Sequence, residues 1–103
     1  MKNSRPKNAN EIISILKLHS QVLKERFRVK EIGAFGSYVR GEQKRGSDID
    51  ILVEFEEGYK TFDNYMDLKF YLEEILKSKI DLVLKTAIRA ELKQNILSEV
   101  KYA

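Results

Sequence analysis

The stretch GSYVRGEQKRGSDIDIL, Gly36–Leu52, decides how this chain is read. It opens on Gly36-Ser37 and closes on Asp48-Ile49-Asp50 inside an apolar run. Side chains alternate along a strand, so Asp48 and Asp50 share a face, their Cα atoms ~6.5–7 Å apart. Both carboxylates then reach a single metal site. Ile49, Ile51, Val53 and Phe55 take the opposite face and supply a core. Glu54 shares the face of Asp50 and reads as solvated rather than as a ligand. An isolated Asp-x-Asp is as readily an edge strand with two solvated aspartates, so the neighbouring elements carry the argument.

Upstream, the apolar segment Glu31–Phe35 runs into Gly36-Ser37 and then a short helical piece, Ser37 to Glu42. Strand, Gly-Ser, helix start is a phosphate-holding order. Glycine admits a close backbone approach, serine offers a hydroxyl, and the first amides of the helix point at an anion. The same pair also caps helices generally. Downstream, Asp81 interrupts the apolar run Lys79–Leu84. A buried unpaired carboxylate costs several kcal/mol, so Asp81 is expected to have a partner or a cation. Adjacent strands lie ~4.8 Å apart, which brings Asp81 within reach of Asp48 and Asp50.

The combination Gly36-Ser37-x-x-Arg40-Gly41, Ser47-Asp48-x-Asp50 and Asp81 resembles the signature of the DNA polymerase β-like nucleotidyltransferases. Within them it is similar to the minimal nucleotidyltransferases of the MntA type, which pair with HEPN-domain proteins in toxin–antitoxin systems. The likeness runs from about Ile12 to the C-terminus. It implies the nucleotidyltransferase core, with Asp48, Asp50 and Asp81 as catalytic residues and as ligands of Mg²⁺, two ions in all. It implies ATP as substrate, held by Gly36, Ser37 and Arg40, and a HEPN-type toxin whose hydroxyl receives AMP. Arg40 stays open between a triphosphate contact and a structural ion pair. The competing reading is a non-catalytic antitoxin that neutralises its partner by contact alone.

The rest of the chain bounds these readings. With 103 residues the chain is expected to form one domain over residues 9–103, behind a flexible leader of residues 1–8. Zero cysteines exclude disulfides and thiolate zinc sites and leave carboxylates as the metal ligands. No apolar run is long enough to span a bilayer and no signal-peptide core follows the first methionine, so a cytoplasmic protein with no membrane partner is expected. The net charge is +3, with Lys and Arg scattered among Glu rather than striped, so a nucleic-acid partner is not expected. Lys44-Arg45, with Arg40 nearby, forms the exception, and it fits triphosphate neutralisation better than duplex binding.

Ile12, Leu16, Leu23 and Phe27 recur at helical spacing from Asn10, the expected cap, to Phe27. Ile13, Ile15, Leu18 and Val22 widen the apolar arc, which predicts a second covered side, by a homo-oligomer or by a partner protein. His19 lies beside that stripe as a core or interface histidine. Strands are expected at Glu31–Phe35, Ser47–Glu54 and Lys79–Leu84. A helix capped by Asp63 runs to about Lys77 on Tyr65, Leu68, Leu72 and Leu76, and a last helix capped by Thr86 carries Ile88, Leu92 and Ile96. The order α-β-α-β-α-β-α predicts an α/β (α+β) fold, a small mixed β-sheet with helices on one face and the carboxylates on the other.

Overall fold

The computed structural model describes residues 5–103. Four strands form one sheet in the order β3-β2-β1-β4. They are β1 (Val29–Phe35), β2 (Ile49–Phe55), β3 (Ile80–Leu84) and the two-residue β4 (Lys101–Tyr102). The sheet is mixed: β1 runs antiparallel to β2 and to β4, and β2 runs parallel to β3. A parallel neighbour demands a crossover. Helix α4 (Phe62–Leu76) provides it between β2 and β3.

The period-two pattern of β2 sets the core. Ile49, Ile51 and Val53 are fully buried, and Phe55 nearly so. They pack in one cluster with Ile12 and Leu16 of α1 (Ala9–Leu18), Leu23 of α2 (Ser20–Glu25), and Leu68, Leu72 and Leu76 of α4. The i, i+4, i+8 spacing of the last three puts them on one stripe of α4, so each turn of the helix delivers one leucine to the sheet. Tyr65, one turn earlier, is partly buried and donates its hydroxyl hydrogen to the Leu82 carbonyl at 2.6 Å.

Several boundaries differ from the sequence reading, each for a local reason. The first helix is two: the chain leaves helical geometry at His19 (φ −101°, ψ 15°). There His19 Nδ1 hydrogen-bonds the Tyr71 hydroxyl at 2.7 Å and ties the break to α4. Asn8, not Asn10, caps α1 by accepting from the Glu11 amide, and Glu11 reciprocates by accepting from the Lys7 amide. Thr61, not Asp63, caps α4 through the Asn64 amide, because Asp63 already lies inside the first turn. Thr86 caps nothing. It sits in a 3-10 turn, Lys85–Ala87, where its hydroxyl accepts from Lys60 Nζ, and extended Ile88 delays the helix to α5 (Ala90–Glu99).

Of the leader expected to be flexible, residues 1–4 lie outside the described residues. Arg5 to Asn8 touch the body of the fold. Arg5 donates to the Ser78 hydroxyl and the Ser47 carbonyl, Pro6 is buried, and the Lys7 carbonyl accepts from Gln43. Among the described residues no helix is long and apolar enough to cross a membrane.

A Cβ on Gly33 would lie 2.6 Å from the Lys101 carbonyl oxygen and 2.8 Å from a Val100 methyl. Glycine is therefore required where the chain leaving α5 closes over β1.

Candidate active site

The register of the sheet assembles the site at one end. Phe35, the last residue of β1, pairs with Asp50 of β2, and Asp50 pairs directly with Asp81 of β3. Because β1 stops at Phe35, Gly36 is delivered beside Asp50. Gly36 adopts φ +81°, and a Cβ there would collide with the Asp50 carboxylate. Only glycine satisfies both demands. The short helix α3 (Ser37–Arg40) starts from this turn and ends at Gly41, which takes the left-handed conformation (φ 72°).

Asp50 is half-buried, and burial pushes its pKa up to about 6. The charge of Asp81 and a hydrogen bond to it push in the same direction, with a smaller push from Asp48, while Arg40 opposes them. Two carboxyl groups hydrogen-bond only through a proton between them, so without a cation Asp50 keeps its proton to a higher pH, about 6, than a free aspartate does. Asp48 precedes the first residue of β2 and is exposed, as is Asp81. The expectation that Asp81 is buried and therefore needs a partner is corrected: it lies at the open rim of the sheet, and its partner comes from the register. Asp48 likewise occupies the end of the loop rather than a strand position, near enough to Asp50 to act on its charge. Among the described residues no three carboxylate or histidine side chains form a ready-made cage for a metal. The donor set nonetheless fits a hard divalent cation, because crowded carboxylate oxygens whose negative charges oppose one another are those a cation would neutralise.

Arg40 projects from α3 onto two carboxylates. Its Nε donates to Glu42 at 2.9 Å and its Nη1 to both oxygens of Glu99 at 3.2 Å. Glu99 Oε2 also accepts the backbone amide of Gly36 at 2.8 Å. Among the described residues the Ser37 hydroxyl has no hydrogen-bond partner in the protein.

A strand–Gly-Ser–helix turn set against paired aspartates on adjacent strands also organises known proteins. The model of the nucleotidyltransferase domain family matches residues 16–103. This chain belongs to the nucleotidyltransferase family. It is 49% identical over 92 residues to the protein adenylyltransferase MntA of Thermococcus cleftensis, across 89% of this chain and 92% of that protein. Among solved structures it is similar to a chain of a toxin–antitoxin complex with AMP-PNP, at 30% identity and a TM-score of 0.65. That match covers 93% of this chain and 72% of the other. It is also similar to a chain from the complex of tri-AMPylated Shewanella oneidensis HEPN toxin with MNT antitoxin. There the identity is 26%, the TM-score 0.56, and the coverage 92% and 67%. The resemblance read from the motif thus holds, down to the minimal MntA type.

Of the residues singled out in this nucleotidyltransferase, the fold brings Gly36, Asp50 and Asp81 into contact, with Ser37 adjoining and Asp48 at the rim. Arg40 is drawn into ion pairs. Lys44 and Arg45 stay in the exposed turn, which the Ser47 hydroxyl closes by accepting from the Lys44 amide. The sequence reading missed Glu99. Its link to Gly36 spans 63 positions, and no local pattern announces a helix-ending glutamate that returns to the glycine turn.

Proposed function

We propose that this nucleotidyltransferase is an antitoxin that transfers AMP from ATP to a hydroxyl of a HEPN-domain toxin in the cytoplasm, with Mg²⁺ as its cofactor. The observation that carries this reading is the direct pairing of Asp50 with Asp81 against the Gly36 turn. Acidic oxygens and a phosphate-accommodating backbone meet there at one edge. The relatives described above support the acceptor and the nucleotide: one is a protein adenylyltransferase, and another accompanies an AMPylated HEPN toxin.

In this reading Asp48, Asp50 and Asp81 hold Mg²⁺, which when bound neutralises phosphate charge and the charge that builds on the leaving group. Gly36 lets the triphosphate approach the backbone, and the unpartnered Ser37 hydroxyl donates to a phosphate oxygen. Arg40 offers its guanidinium to the same group. The acceptor oxygen forms a bond to the α-phosphorus, the α–β bridging bond breaks, and pyrophosphate departs. Asp81, exposed at the rim, takes the hydroxyl proton or supports the charge that develops as the proton leaves. An open rim suits an acceptor as large as a folded protein.

Mass spectrometry of the HEPN-domain partner after incubation with this protein, ATP and Mg²⁺ tests the proposal. A gain of one or more AMP units that requires all three components is expected. A stable complex whose partner keeps its original mass would instead establish neutralisation by contact.

A further inference from the structure

Glu99 holds two of the three groups assigned above to the triphosphate. Its carboxylate accepts the Gly36 amide at 2.8 Å and the Arg40 guanidinium at 3.2 Å. A backbone N–H and a guanidinium are the donors that a phosphate oxygen takes, and a carboxylate is the side chain most like it in charge and geometry. Two anions do not share one set of donors.

The element that carries Glu99 is built to let go. Helix α5 buries none of its residues, and Leu92 is 46% exposed. Glu99 is its last residue, separated by Val100 alone from the two-residue β4. Segments with little buried apolar surface open at low cost. An ion pair needed only to fasten α5 has many exposed lysines and arginines to choose from. This one takes a backbone amide of the glycine turn, beside the Asp50 carboxylate.

We propose that Glu99 is an internal stand-in for phosphate, a latch that occupies the Gly36 amide and Arg40 until a nucleoside triphosphate displaces it and releases the end of α5. The proposal rests on the reading of this site as a triphosphate site. It makes Glu99 a competitor of substrate rather than a support for it, so that loading with nucleotide and loosening of the C-terminal segment are one event.

Calorimetric titration of the full chain with AMP-PNP and, separately, inorganic triphosphate, each with Mg²⁺, tests this. The variant Glu99→Gln keeps the shape but loses the charge, and it should bind both probes roughly threefold to thirtyfold more tightly. Glu42→Gln removes an equal charge from Arg40 without touching Gly36, and it should leave affinity near that of the parent. In the unmodified protein, hydrogen exchange of residues 96–103 should quicken when either probe is added, while α4 stays protected. Weaker binding by Glu99→Gln would make Glu99 a support for Arg40 and overturn the latch. An equal gain in Glu42→Gln, or C-terminal exchange that slows, would overturn it as well. Equal affinities in all three proteins would sink the latch and leave the triphosphate reading standing, whereas no binding by any of them would sink both.

Discussion

The two faces of the sheet are stabilised in opposite ways. Beneath one, Ile49, Ile51 and Val53 are fully buried against leucines of α1, α2 and α4. On the other, charged groups dominate: Asp50 and Asp81 at one end, then Glu31, Glu54 and Lys85 linked at 2.9 and 3.8 Å. Helix α5, whose last residue reaches the Gly36 turn, buries none of its residues. Phe35 and Leu52 are exceptions, both buried, with Leu52 beside Gly33 where Val100 closes over. Alternation along β2 thus assigns stability to one side and chemistry to the other within seven residues. The division lets the site tolerate repulsion between carboxylates, because the apolar face opposite supplies the stability to offset it.

The largest effects should come from the apolar face. Leu72 is completely buried in α4, and Leu72→Ala removes three carbons from a packed core. A loss of about 2–5 kcal/mol in denaturant unfolding is expected, with the m-value unchanged. A loss below about 1 kcal/mol would mean that α4 does not form the core.

At the boundary between the faces, Gly36→Ala should cost about 1–3 kcal/mol, since it forces a side chain into a left-handed conformation and against the Asp50 carboxylate. Transfer should fall with it, because the collision displaces a proposed metal ligand. An alanine variant with the parent's melting temperature and transfer rate would break the claim that turn and carboxylate are in contact.

Much of this was legible in the sequence. The identity of β2 and the stripe Leu68, Leu72 and Leu76 follow from periodicity alone, because each depends on residues close in sequence. The site was half legible: Gly-Ser and Asp-x-Asp mark their own positions, and Asp81 stands out in an apolar run. The direct pairing of Asp50 with Asp81 was not, since it depends on a parallel register set by the packing of α4. Two-residue β4 is too short to show a pattern, and Glu99 gains meaning only when β4 brings the chain back beside β1. The caps at Asn8 and Thr61 were each misplaced by two residues, because Asn10 and Asp63 are equally good cap residues and only the backbone geometry chooses.

The charged face makes a prediction of opposite sign. Asp50 has a pKa near 6 in the folded protein against 3.8 for an unperturbed aspartate. Between those values the unfolded chain gives up its proton first, so the metal-free protein should lose stability as pH rises from about 4 to about 6.5. Above that window the loss is complete, about 1–2 kcal/mol after allowance for solvent screening of a half-buried group. Asp50→Asn removes the titration, so in chelator at pH 8 it should be more stable than the parent by about 1 kcal/mol while transferring no nucleotide. Thermal melts of the two proteins at pH 4.5 and pH 8 check this. A gap that does not widen between the two would show that neither burial nor the neighbouring carboxylates make the Asp50 charge costly in the fold.

The smallest effect should come from the same substitution that gives the largest, made on the other side. Leu92 occupies α5 as Leu72 occupies α4, but it is 46% exposed where Leu72 is fully buried. Truncating it removes the same three carbons, yet those carbons leave water rather than a packed cavity, so no void forms behind them. Helix propensity slightly favours alanine over leucine and opposes what little contact is lost. Leu92→Ala should therefore change the unfolding free energy by no more than about 0.5 kcal/mol in either direction. The ratio of the two leucine costs measures how unequally the sheet's faces are held. A Leu92→Ala cost above about 1.5 kcal/mol would place α5 within the cooperative core and deny it the freedom that a displaceable Glu99 requires.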